Sequence, residues 1–98
     1  MNLLKETKDI LELNGKNIFD IEWFGTSEHS YDCDLQQLIN IEYDDGYGCA
    51  EIPDNFILVG VDFWLERHEY DGSEWWEYKS MPEKPKEVEV AKKLIEWK

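Results

Sequence analysis

The sequence predicts an α+β fold in which a three-stranded antiparallel sheet packs with two to three helices. Two observations favour this class: apolar residues alternate along the middle of the chain, and apolar residues recur at helical spacing near both ends. Alternation places side chains on one face of a strand, whereas a spacing of three and four residues places them on one face of a helix. The length of 98 residues indicates a single domain, 1–98.

The strongest local signal is a hairpin whose sequence is FILVGVDFWLERHEYDGSEWWEYK. Its first strand is predicted over 56–69 and its second over 74–79, with Asp71-Gly72 as a turn that tolerates positive φ. The alternating apolar residues of the first strand are Ile57, Val59, Val61, Phe63 and Leu65. They are expected to face the core, so that Val61→Asp would unfold the protein.

The hairpin turn leaves two registers open. A two-residue turn places Trp76 opposite Arg67, whereas a three-residue loop places Trp75 there. The first register is preferred because it puts Trp76 and Leu65 on one face. Its cost is that like charges face each other in two pairs, Glu69 with Glu74 and Glu66 with Glu77.

The remaining elements follow from shorter patterns. A strand is predicted over 18–24, where Phe19, Ile21 and Trp23 alternate with acids, and this strand should join the hairpin. Helices are predicted over 2–13, 34–42 and 86–97 from apolar spacing and capping residues. The last helix, with Trp97, is one candidate to cover the second face of the sheet.

The composition favours a folded cytoplasmic protein. Hydrophobic residues make up 42% of the chain and aromatic residues 14%, against 34% charged residues and a mean hydropathy of -0.64. No apolar run approaches the ~20 residues that span a bilayer, and residues 1–16 lack a secretory signal. Cys33 and Cys49 are therefore expected to be free thiols in a reducing compartment.

Acidic charge is concentrated in the middle of the chain. Residues 17–78 contain sixteen acids and one basic residue, Arg67, which gives this segment a charge of -15 within a chain of -13. Such a segment repels nucleic acid and anionic membranes and attracts basic protein surfaces or metal cations. No direct contact with nucleic acid or membrane is expected.

The hairpin supplies the candidate binding residues. Trp75 and Trp76 must point to opposite faces of the sheet, so one aromatic face is either covered or available to a partner. Trp and Tyr are enriched at the centres of protein interfaces. The candidate binding residues are Trp64, Glu66, His68, Glu69, Tyr70, Glu74 and Trp75.

The leading hypothesis is a non-catalytic binding module that engages a basic protein, in one form as a nucleic-acid mimic or inhibitor. A homodimer through the hairpin aromatics is a second option. Association should weaken with salt, and lysine at Glu66, Glu69 and Glu74 should abolish it without unfolding the chain. No catalytic residue and no cofactor are assigned.

Two alternatives remain open. One is a small enzyme or divalent-metal protein that uses the acidic loop 44–51, with Asp44, Asp45 and Glu51 as oxygen ligands, and His68 as an acid or base. The spacing of a calcium loop is absent from this segment. The other is an accessory protein with no specific site, whose acids keep a tryptophan-rich chain in solution.

The segment from Trp64 to Lys79, WLERHEYDGSEWWEYK, resembles small uncharacterised proteins of Gram-positive bacterial phages and mobile elements that carry an EYDGSEWW-like hairpin. The order of the first helix, EYDDGYG and VDFWLER is also similar, so that the likeness extends over about residues 3 to 85. This resemblance implies a prophage-type context and adds no activity and no catalytic residue.

Overall fold

The computed structural model describes residues 1–43 and 52–91. In that part of the chain it contains α1 (Leu3–Leu13), β1 (Trp23–Gly25), α2 (Leu35–Ile39), β2 (Ile57–Val59), β3 (Phe63–Tyr70) and β4 (Ser73–Ser80), with a 3₁₀ turn at Ile18–Asp20. The α+β class is confirmed, although the sheet has four strands where three were expected. None of the described helices is long and apolar enough to cross a bilayer.

The strands lie in the order β1-β2-β3-β4, and each is antiparallel to its neighbour. The prediction of one strand over 56–69 is wrong, because the chain reverses at Val61-Asp62 and forms a hairpin between β2 and β3. The amide of Gly60 donates to the carbonyl of Phe63 at 2.8 Å beside this turn. A Cβ on Gly60 would lie 2.1 Å from the Phe63 ring, so this close approach requires glycine.

The reversal changes which side chains reach the core. In β2 it is Leu58 that is fully buried, whereas Ile57 and Val59 are half-buried on the other face. Val61 lies at the turn and is 82% exposed. The expectation that Val61 faces the core is therefore wrong, and the structure removes the reason for expecting Val61→Asp to unfold the protein.

The hairpin of β3 and β4 has the preferred register. Arg67 pairs with Trp76, and Leu65 pairs with Tyr78 across a two-residue turn. Asp71 has a φ of 51° and Gly72 a φ of 85°. Positive φ at both central residues matches the right-handed twist of the strands and fixes this register.

The strand predicted over 18–24 forms only at its C-terminal end, where β1 pairs with β2. Upstream, Asn17 and Asp20 cap the 3₁₀ turn: the Asn17 side chain accepts from the amide of Phe19 at 2.9 Å, and Asp20 accepts from the amide of Asn17 at 2.9 Å. These local hydrogen bonds compete with strand pairing. Phe19 is consequently 83% exposed and does not enter the core.

The first two helices lie where the sequence predicts them. Asn2 caps α1 by accepting from the amide of Lys5 at 3.0 Å, and the chain leaves the helix at Gly15 with a φ of 74°. Asp34 caps α2 by accepting from two amides. The second helix is shorter than the predicted range 34–42, because it ends at Ile39.

The predicted final helix over 86–97 does not form in its first part. Residues 86–91 are exposed and have no regular structure. Val88 is 84% exposed and Val90 is 81% exposed, so burial of these β-branched residues does not offset their low helix propensity. The rest of that prediction, including Trp97, lies outside the described residues.

One apolar cluster lies between the helices and one side of the sheet. We call this side of the sheet the core face; it carries Leu58, Phe63, Leu65, Arg67, Glu74 and Trp76. Helix α1 packs against β4, where the indole N–H of Trp76 donates to the hydroxyl of Thr7 at 2.8 Å. The cluster contains Leu3, Leu11, Ile18, Ile39, Tyr43, Ile52, Phe56, Leu58, Phe63, Leu65 and Trp76.

Candidate functional site

The opposite side of the sheet carries a second set of aromatic and charged side chains, which we call the outer face. Directly paired residues of antiparallel strands project to the same side, so the register determines its membership. One row runs across all four strands. The outer face consists of Trp23, Ile57, Val59, Trp64, Glu66, His68, Tyr70, Trp75, Glu77 and Lys79.

Large aromatic groups on the outer face are open to solvent. Trp23 is 44% exposed, Trp75 is 36% exposed and Tyr70 is 77% exposed, whereas Trp76 on the core face is 3% exposed. The buried apolar residues of α1 and α2 belong to the core cluster, and the buried Thr7 of α1 contacts Trp76 on the core face. Within residues 1–43 and 52–91, both helices therefore pack on the core side and leave the outer face open.

The centre of the outer face is a connected group of charged and aromatic side chains. The imidazole of His68 stacks on the indole of Trp75, with ring centroids 6.4 Å apart and an angle of 25°. His68 Nε2 lies 3.2 Å from Glu66 Oε1, and Lys79 Nζ lies 3.8 Å from the same atom. These contacts hold the Glu66 carboxylate beside the aromatic rings.

Glu77 is held in the same way at the edge of the sheet. The indole N–H of Trp75 donates to Glu77 Oε2 at 3.2 Å, and Lys79 Nζ lies 3.4 Å from Glu77 Oε1. The Trp75 hydrogen bond, with the charges of His68 and Lys79, lowers the pKa of Glu77. Glu77 is therefore a carboxylate in a fixed position at neutral pH.

The structure brings together five of the seven predicted binding residues, Trp64, Glu66, His68, Tyr70 and Trp75, on the outer face. The other two lie on the opposite side of the sheet. Glu69 is exposed near the hairpin tip. Glu74 is 2% exposed and pairs with Arg67 at 2.9 Å, so it cannot touch a partner.

This arrangement corrects the expected effect of the triple lysine substitution. Lysine at Glu74 would place a second cation beside Arg67 in the core and would destabilise the fold. Lysine at Glu69 changes the charge on the core side of the sheet and leaves the charge of the outer face unaltered. Of the three acids, Glu66 is the one that tests the outer face.

Five of the ten outer-face residues were not among the predicted binding residues: Trp23, Ile57, Val59, Glu77 and Lys79. Trp23 was expected in the core, but the 3₁₀ turn shifts the alternation of this segment and β1 presents Trp23 outward. Glu77 and Lys79 alternate with Trp76 and Tyr78 along β4, and the preferred register already placed them opposite the core. That alternation was the available signal for both.

The buried polar group around Arg67 was also missed. Arg67 Nη2 donates to Glu74 Oε1 at 2.9 Å, Arg67 Nη1 lies 3.5 Å from Glu6, and the guanidinium lies over the rings of Tyr43 and Trp76. A lone basic residue at a core-facing strand position was the sequence signal. The group joins β3 and β4 to α1.

Two pKa shifts follow from this burial. Desolvation would lower the pKa of Arg67, but the Tyr43 hydroxyl and the carboxylates of Glu6 and Glu74 outweigh it and raise the pKa. Burial raises the pKa of Tyr43, and the Glu6 carboxylate, which accepts its O–H at 2.6 Å, adds to the effect. At neutral pH the group therefore holds Arg67 as a cation and Tyr43 as an uncharged phenol.

Metal binding has no support from the described residues: among them, no three His, Cys, Asp or Glu side chains converge as ligands. The candidates Asp44, Asp45 and Glu51 lie outside residues 1–43 and 52–91, as does Cys49. Cys33 is an exposed free thiol. The Glu66–His68 contact is only partly buried, and such a pair does not by itself define a substrate site.

No protein-family model, curated protein or solved structure matches this chain.

Proposed function

We propose that this protein is a small non-catalytic binding module, phage- or prophage-encoded, whose outer face engages a basic protein surface. The observation that carries this proposal is the open outer face, on which Trp23, Tyr70 and Trp75 lie beside the carboxylates of Glu66 and Glu77. Exposed aromatic groups supply the area that anchors an interface. Fixed carboxylates supply complementarity to lysine and arginine.

The charge of the chain supports the same partner class. The segment 17–78 carries -15, and Glu74 is the one described acid in it that is fully buried. A surface of this sign accelerates encounter with a basic protein and weakens encounter with nucleic acid. In the mimic form of the proposal, the protein occupies a surface of its partner that otherwise binds nucleic acid, and the two ligands compete.

The test uses two variants with the same change of charge on opposite faces. Glu66→Lys alters the outer face, and Glu69→Lys alters the core side of the same strand three residues away. Both acids lie outside the buried group, so both variants should melt like the wild type. Each protein is immobilised and used to capture partners from a lysate of the source cell at low and high salt.

The expected result is a partner that wild type and Glu69→Lys retain at low salt and that Glu66→Lys does not retain. Added salt should release it, because charges attract over distances set by the Debye length. Equal loss in both lysine variants would indicate nonspecific attraction to net charge. Capture of no partner by the wild type at either salt concentration would contradict a binding role.

A further inference from the structure

A cavity of about 300 Å³ opens at the end of the outer face where β1 leaves the sheet. Gly25 lies in register with Ile57, which pairs in turn with Glu66, so one position of this row has no side chain. A Cβ on Gly25 would lie 2.2 Å from the carbonyl oxygen of His29, because the following turn packs against the strand. The missing side chain therefore allows the turn to form one wall.

The walls of the cavity combine an indole with oxygen acceptors. Those that matter for binding are Trp23, Thr26, Ser27, Asp54 and Glu66, with Ile57 at the base. Arg67 also borders the cavity, but its guanidinium pairs with Glu74 on the core side. The other charged residues that line the cavity, Asp54 and Glu66, are both acidic.

The two carboxylates differ in what they already bind. Glu66 contacts His68 at 3.2 Å and Lys79 at 3.8 Å, which hold it in place and partly neutralise it. Asp54 is exposed and forms no ion pair with any other described residue. Asp54 is therefore the carboxylate with most to gain from a cationic ligand.

We propose that this cavity binds one arginine side chain of the basic partner. The proposal rests on the proposed function and names its chief specificity contact. A planar guanidinium can stack on the Trp23 indole while its N–H groups donate to Asp54 and Glu66. A lysine ammonium lacks the flat surface and the paired donors, so it should bind less tightly.

The probe is N-acetyl-arginine methylamide, titrated into the intact chain labelled with ¹⁵N. The matched neutral probe is the citrulline analogue, which keeps the planar shape and loses the charge. The readout is the indole N–H resonance of Trp23, compared with that of Trp75 on the same face outside the cavity. Asp54→Asn removes one main contact and keeps the Trp23 reporter, whereas Trp23→Leu removes the other contact and is tested by partner capture. Glu69→Gln, which removes an exposed carboxylate on the core side of the sheet, is the control variant.

The arginine probe should shift the Trp23 resonance saturably and bind at least about tenfold more tightly than the citrulline probe. Glu69→Gln should retain this binding, and Asp54→Asn should lose most of it. Equal affinity for the arginine and citrulline probes, equal affinity for the arginine probe and for N-acetyl-lysine methylamide, or unchanged binding in Asp54→Asn would overturn the proposal.

The same variants separate the two proposals. Partner capture that is lost in Glu66→Lys but unchanged in Asp54→Asn and Trp23→Leu would retain the binding face and exclude the arginine cavity. A wild-type protein that captures no partner, and whose Trp23 resonance does not respond to the arginine probe, would exclude both.

Discussion

The two faces of the β3–β4 hairpin contain similar side chains in opposite surroundings. On the core face, Arg67 and Glu74 form an ion pair whose side chains are each 2% exposed. On the outer face, Lys79 and Glu66 form a pair that is 42% and 36% exposed. Trp76 packs under α1, whereas its neighbour Trp75 meets solvent. Burial, and not residue type, decides whether a side chain maintains the fold or is available to a partner.

The largest expected difference between buried and exposed positions concerns a new carboxylate. Leu58→Asp places a charge at a position with no solvent exposure and should cost several kcal/mol, comparable to the ~5 to 15 kcal/mol that hold a domain together. Val61→Asp at the exposed turn should change the free energy of unfolding by less than about 0.5 kcal/mol. Urea denaturation of both variants measures the difference. If Val61→Asp unfolded the protein, this would contradict the exposed turn and favour the single strand predicted over 56–69.

The next largest effect separates the two ion pairs. Arg67→Met leaves Glu6 and Glu74 near the core without their cation and should destabilise the protein by about 3 to 5 kcal/mol. Lys79→Met on the outer face should change stability by no more than about 1 kcal/mol. The measurement is again the free energy of unfolding in urea. Similar losses of stability in Arg67→Met and Lys79→Met would mean that the Lys79–Glu66 pair also stabilises the fold.

A smaller effect tests the hydrogen bond that ties α1 to the sheet. Thr7→Val keeps the shape of the side chain but leaves the indole N–H of Trp76 without its acceptor, at a cost of about 1 to 3 kcal/mol. Thr7→Ser keeps the hydroxyl and loses one methyl group, which should cost about 1 kcal/mol. Thermal melts rank the two. A larger loss of thermal stability in Thr7→Ser than in Thr7→Val would show that packing of the methyl group contributes more than the hydrogen bond.

The smallest expected effect is a change in alkaline stability. Burial raises the pKa of Tyr43 above its usual value of 10.0, so the unfolded chain loses this proton at lower pH than the folded chain. The contribution of Tyr43 to the free energy of unfolding is therefore complete below pH 10.0 and is lost as the pH rises above that value. Tyr43→Phe should show a shallower loss of stability from about pH 9 to about pH 11, measured by urea denaturation. Equal slopes would contradict the role of Tyr43.

The sequence predicted the elements whose signals are local. The Asp71-Gly72 turn has the residue types that its backbone requires, so the β3–β4 register could be chosen correctly. Asn2 marked the start of α1, and of the two acids that could cap the second helix, Asp32 and Asp34, it is Asp34 that does so. In each case a short motif determines the geometry without help from distant residues.

The sequence failed where distant packing decides the outcome. Residues 56–65 are apolar on both strand faces, so alternation alone could not show the reversal at Val61-Asp62; Gly60 was the available warning. The role of Arg67 depends on Glu6, sixty-one residues away. To predict which residues lie on the outer face, the register of all four strands must be known. Trp23 joins this face only because a 3₁₀ turn precedes β1.

The central claim is that the outer face is open while the core face is closed. Oxidation of the tryptophans by hydroxyl radicals, located by mass spectrometry of fragment ions, tests it in the dilute intact protein. Among the four tryptophans in residues 1–43 and 52–91, Trp23 and Trp75 should react fastest, Trp64 more slowly and Trp76 slowest, following their exposed fractions. Protection of Trp75 equal to that of Trp76 would show that the outer face is covered, and would remove the basis for the binding proposal.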